Sequence, residues 1–200
     1  MQPDILSNYA TAEYMLVIEL PEVLREELQA VKKHFADSYD CAAAVMGRPQ
    51  ITLLRFQQFE MIEKRIIHRL QVVTEAHAAF LVELNGFSGL PTHTICFQIS
   101  TQTQVGLLIK SLRTVQHLLK IDKERKPHFI TEPYVTLATK LLPWQYEKGW
   151  LEMSHTHFSG RFMAERLVLL RRREGATKYE TVKRFVMKNE KTHTVQGALF

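Results

Sequence analysis

The sequence predicts an α+β fold: a duplicated β-α-β-α-β unit forming two pseudo-symmetric lobes with antiparallel sheets around a central cleft, plus a C-terminal hairpin strand. Two observations predict it. The stretch Pro49-Gln50-Ile51-Thr52-Leu53 recurs as Pro133-Tyr134-Val135-Thr136-Leu137. Around each copy, strand-like and helix-like runs follow one another in the same order. Ile, Val and Thr favour strands, and a proline fits a strand's first position. Period-two alternation then sets Gln50 and Thr52 on one face and Ile51 and Leu53 on the other. Tyr134, Thr136 and Lys140 share a face in the same way. One polar pair on each of two strands reads as two halves of a single site.

The elements follow in order. Tyr14-Met15-Leu16-Val17-Ile18-Glu19-Leu20 reads as a largely buried strand. Pro21 opens a helix whose Leu24, Leu28, Val31 and Phe35 fall at helical spacing. Its acids (Glu22, Glu26, Glu27) precede its bases (Lys32, Lys33), which complements the helix dipole. A loop with Gly47 and Pro49 leads into the first motif strand, and Phe59, Ile62, Ile66, Leu70 and Val73 stripe the next helix. Phe80 to Leu84 follows as a strand, closed by turn residues at Asn85-Gly86 and Ser88-Gly89.

The second half repeats this outline. His93 to Ile99 is a strand, and Val105, Leu108, Ile109, Leu112, Val115 and Leu119 stripe a long helix. The polar stretch from Asp122 to Glu132 is a loop, and the second motif strand has a strand-like tail to Leu141. Pro143 opens a helix carrying Trp144, Tyr146 and Trp150. Phe162 to Leu170 is a strand, Glu174-Gly175 a turn, and Tyr179 to Met187 a last strand. The expected organisation is one domain, with lobes at about residues 13–88 and 92–187 and a loosely held tail at 188–200.

Bulk properties narrow the function classes. With 46% apolar and 24% charged residues, the 200-residue chain has an ordinary globular composition. A net charge of +5 favours an anionic partner, nucleic acid first. Two cysteines, Cys41 and Cys96, argue against a disulfide scaffold and fit a reducing compartment. The start lacks the basic and apolar regions of a secretory signal, and no apolar run is long enough to span a bilayer. A cytoplasmic protein, a monomer without a membrane partner, is expected.

The duplicated motif resembles the 2H phosphoesterase superfamily, which includes the 2′-5′ RNA ligase-like proteins and cyclic nucleotide phosphodiesterases. That superfamily is marked by two His-x-Thr/Ser-hydrophobic motifs on a duplicated βαβαβ unit. The resemblance extends from about Tyr14 to Met187 and includes the closing Gly160-Arg161-Phe162 strand. It implies a cleft in which one histidine acts as general base and the other as general acid on a phosphodiester, typically a 2′,3′-cyclic phosphate or a 2′-5′ linkage. It further implies that the two hydroxyls hold the phosphate and that no metal or other cofactor is needed.

This chain departs from that pattern at both centres. Gln50 stands at the first histidine position and Tyr134 at the second, while Thr52 and Thr136 are kept. Glutamine does not titrate; it binds an anion through its amide but shuttles no proton. Tyrosine, with an unperturbed pKa near 10, is a donor at neutral pH and seldom a base. General acid–base transfer contributes about 10²–10⁴-fold, so losing both groups removes most of the hydrolytic rate. The expected activity is therefore binding of an RNA end or nucleotide phosphate without efficient hydrolysis. An active enzyme with non-standard acid/base groups and a non-catalytic interaction module are the alternatives.

Other residues bear on this expectation. His128, six residues before Tyr134, is the candidate substitute for a lost histidine, and His93 opens the second half. Both read first as ordinary surface or core histidines. His155 and His157 share a face if extended, but no further ligand stands at metal spacing. Arg48 and Lys140 are the candidate phosphate-neutralising cations, with Arg161 a weaker one. Arg171-Arg172-Arg173 reads as a solvated hairpin end. Trp144, Tyr146 and Trp150 suit packing better than base stacking.

Overall fold

A computed structural model describes residues 9–189; the expected tail from 190 onward lies outside the described residues. In chain order the elements are β1 (Thr11–Ile18), α1 (Glu22–Ser38), β2 (Ile51–Phe59), α2 (Glu63–Glu75), β3 (Phe80–Leu90), β4 (Thr94–Ile99), α3 (Gln102–Leu112), β5 (His128–Phe129), β6 (Val135–Ala138), α4 (Pro143–Met153), β7 (Ser159–Ala164), β8 (Arg166–Arg173) and β9 (Glu180–Val186). They build two antiparallel sheets. The first has the order β5-β2-β1-β8-β9 and the second β6-β4-β3-β7.

Alternation along β1 explains how the first sheet buries a core. Tyr14, Leu16 and Ile18 are fully buried on one face, with Tyr14 stacked on Phe56 at 5.1 Å between ring centroids. Met15 and Val17 point to the other face, where they pack with Val168 in a small separate cluster. Helix α2 lies against β9 and α3, α1 against β6, and α4 against β4. The α1–α4 contact is close: a Cβ on Gly149 would stand 2.6 Å from the fully buried ring of Phe35.

Several boundaries differ from the sequence expectation. The strand starting at Phe80 does not stop at Leu84 but runs to Leu90, with an irregularity between Leu84 and Phe87. Gly86, at φ 68°, marks that bulge and not a turn. Gly89 lies inside the strand, where a Cβ would meet the Tyr146 hydroxyl at 2.6 Å and the Trp150 ring at 3.1 Å. Tyr146 and Trp150 accordingly pack on the core, as expected of them, whereas Trp144, expected to pack with them, is exposed. The stretch from Phe162 to Leu170 breaks at Glu165, with β7 in the second sheet and β8 in the first. The lobes expected at about 13–88 and 92–187 therefore do not follow the sheets. β3 joins the second sheet, while β5, β8 and β9 lie in the first.

The arginine run at the end of β8 is not a free basic patch. Arg171 is bound to Glu60, Glu63 and Glu180, and Arg173 to Glu60 and Glu180. Arg172 pairs with Glu13 and lies 4.9 Å over the Tyr179 ring. Three successive guanidinium groups thus tie β1, β9 and the start of α2 to β8.

Candidate functional site

The two motif strands share a local distortion. Along β2, Leu16 pairs with Leu54 but Val17 pairs with Thr52, so Leu53 is the extra residue. Along β6, Ile95 pairs with Ala138 and Cys96 with Thr136, so Leu137 is the extra residue. The bulge falls on the same motif leucine in both copies, and both leucines are fully buried. A bulged residue turns the strand and resets which face each following side chain meets. The next residue on the face of Thr52 is then Arg55, and Thr139 takes the corresponding place after Thr136.

The four motif side chains meet. Gln50, Thr52, Tyr134 and Thr136 line one cavity of about 250 Å³ between the strands. Arg48 and Arg55 line it too, as does Lys32 from α1. The Gln50 amide donates to the Met15 sulfur at 3.0 Å, and the Thr52 hydroxyl lies 3.4 Å from the same atom. A thioether is a weak acceptor, so both donors are held in place without a strong partner.

Lys32 is unusual. It is only 4% exposed, and its ammonium donates to the Gly47 carbonyl at 3.3 Å, closing the cavity against the 46–49 loop. Burial pushes its pKa below the ordinary lysine value. It therefore does not serve as a solvated base at the helix end, as the charge order along α1 suggested. Arg55 faces a different neighbourhood. Beyond it, Glu13 is held by the Tyr179 hydroxyl and Arg172; burial alone would raise its pKa, but these hydrogen bonds bring it below the usual carboxylate value.

The remaining candidates stand apart. Lys140 is exposed and absent from the cavity lining, because β6 ends at Ala138 and the backbone is left-handed at Lys140 (φ 56°). Strict alternation would carry Lys140 to the cleft face; the bulge at Leu137 breaks that phase. Thr139 instead meets Thr94 at 2.9 Å between hydroxyl oxygens. His128 is exposed on β5, paired with Arg55, and does not line the cavity. His93 stacks at an angle against Tyr146. Arg161 borders a separate cavity with Glu83 and Ser100. The Cys96 thiol is pushed up to about 11 by burial and is not an activated nucleophile. Among the described residues, no three His, Cys, Asp or Glu side chains gather as a metal site, and no helix is long and apolar enough to cross a membrane.

Sequence reasoning missed Lys32 and Arg55, yet both left a signal. Lys32 lies four residues after Leu28 and three before Phe35, on the apolar stripe itself. The doublets Leu53-Leu54 and Leu137-Ala138 interrupt the period-two pattern and announce the bulges.

Comparison with known proteins agrees with this architecture. E. coli LigT, in a structure complexed with NADP+, superposes with a TM-score of 0.59 at 14% identity, over 89% of this chain and 99% of that one. LigT complexed with 3′-AMP gives 0.58 at 13% identity, over 89% and 98%. The Thermus thermophilus protein TT0787 gives 0.56 at 17% identity, over 90% and 100%. No curated protein matches by sequence. At these identities the likeness is one of fold. The family description "2'-5' RNA ligase superfamily", however, matches the sequence itself over residues 20–176, and the chain belongs to that superfamily.

Proposed function

We propose that this protein binds a phosphate-bearing ligand, an RNA end or a nucleotide, between its two motif strands and does not turn it over efficiently. The observation that carries the reading is the convergence of Gln50, Thr52, Tyr134 and Thr136 on one cavity together with three cationic side chains. Hydroxyl, amide and guanidinium donors suit a phosphate. Gln50 and Tyr134 are read as occupying the positions of the superfamily's two motif histidines. Neither can pass a proton as a base near neutral pH. Opening a cyclic phosphate takes a base for the water and an acid for the leaving oxygen. Lys32, the one lysine in the lining, cannot be both in the same step. His128, the candidate substitute, is outside the lining.

The ligand class is supported by relatives of the same fold. LigT has been captured with phosphate, with 3′-AMP and with NADP+. The net charge of +5 agrees with an anionic partner. Two free, buried cysteines fit a cytoplasmic setting, and we read the protein as a monomer.

Incubation with a panel of 2′,3′-cyclic nucleotides, following both product and melting temperature, tests the reading. Binding at 100 times Kd adds about 2.7 kcal/mol of stability. Stabilisation without product is the expected result. Product well above background would establish an active enzyme, and neither response would move the function to the outer surface.

A further inference from the structure

The cavity's charge says more about its ligand than its hydroxyls do. We infer that it selects a terminal phosphate monoester over a cyclic or bridging phosphodiester, and that Lys32, Arg48 and Arg55 set this preference. The inference rests on the cavity being a phosphate site. Its own support is electrostatic and geometric.

Three cations from three segments, α1, the 46–49 loop and β2, line the cavity, and no carboxylate is among the lining residues. Lys32 has the strongest need of an anion. Its ammonium carries three donors, the residue is 4% exposed, and among the described residues it makes one hydrogen bond, to a carbonyl at 3.3 Å. A buried charge without a counter-charge is costly, and an entering anion relieves that cost. Arg48 and Arg55 form no ion pair among the described residues. Glu13, the acid whose field reaches Arg55, is already bound to Arg172 and Tyr179.

A phosphodiester carries a single negative charge. A phosphate monoester carries about −1.5 to −2 at neutral pH, because its second pKa lies near 6. Attraction to three cations grows with each added charge, and it is strongest where a cation is buried. The oxygens point the same way. A monoester offers three terminal oxygens, enough to meet the Thr52 and Thr136 hydroxyls and the Lys32 ammonium at once. A diester offers two, so the three donors must share them.

The test compares adenosine 3′-monophosphate with adenosine 2′,3′-cyclic monophosphate on the full chain, measuring Kd at about pH 7.5 and about pH 5. The monoester is expected to bind at least about tenfold more tightly at the higher pH, with the margin shrinking at the lower one as its second charge is titrated. Other groups near the cavity are Tyr134 just before β6, Glu13 on β1, Arg172 on β8, Tyr179 before β9 and His128 on β5. In Lys32→Met, and in Arg55→Gln at an exposed side chain, the margin should fall several-fold towards unity. Equal or tighter binding of the cyclic ligand, or a margin untouched in both variants, would overturn this preference while leaving the phosphate site standing. Binding of neither ligand would overturn the phosphate site itself.

Discussion

Lys32 and the residues it faces concentrate the energetics of the site. Its pKa is lowered in the folded protein by burial, so the unfolded chain binds more protons in the window just below the ordinary lysine value. Stability must therefore rise as pH increases through that window, and charged Lys32 costs stability at neutral pH. Without ligand, Lys32→Met should melt no lower than the wild type at pH 7 and should lack the wild type's alkaline gain; melting curves against pH check this. A clear loss of stability on that substitution would mean that the hydrogen bond to Gly47 outweighs the burial of charge. At this scale the sequence showed the motif side chains plainly, since they are repeated. It concealed Lys32 behind an amino-acid type that is almost never fully buried.

The elements explain why some side chains reach the cavity and others do not. Bulges at Leu53 and Leu137 move the cleft-facing position one residue along, which admits Arg55 and excludes Lys140. Period-two reasoning has no means of placing such a shift unless it reads the apolar doublet as a break. The order of strands and helices was legible because hydrophobic periodicity is local. The split at Glu165 was not, because assigning β7 and β8 to different sheets depends on long-range pairing. The α1–α4 contact offers a test of packing. Gly149→Ala should lower stability in urea by about 1–3 kcal/mol, despite alanine's better helix propensity, because the fully buried Phe35 ring has no room to yield. Gly160→Ala should cost less, since the atom it meets, at 2.7 Å, is the end of a flexible Leu24 side chain.

Across the whole molecule, ion pairs and the cleft divide the charge between them. Arg171, Arg172 and Arg173 of β8 are occupied with Glu13, Glu60, Glu63 and Glu180, while Arg48, Arg55 and Lys32 face the cavity. The net basic composition was legible in the sequence; its allocation was not, because the arginine run reads as solvated until its acidic partners are placed. Glu13 has a lowered folded pKa, so its contribution is present above the usual carboxylate value and is lost as pH falls through the folded one. Glu13→Gln should accordingly flatten the fall of melting temperature between about pH 5 and pH 3 relative to the wild type. Restoring a histidine pair at positions 50 and 134 of the proposed phosphate site should bring turnover with it. The most direct measurement is therefore the hydrolysis of a 2′,3′-cyclic nucleotide by the double variant Gln50→His, Tyr134→His beside the wild type. Hydrolysis by the variant at about 10²-fold or more above the wild-type rate is predicted. A well-folded variant as inert as the wild type, or a wild type that already matches it, would contradict the account.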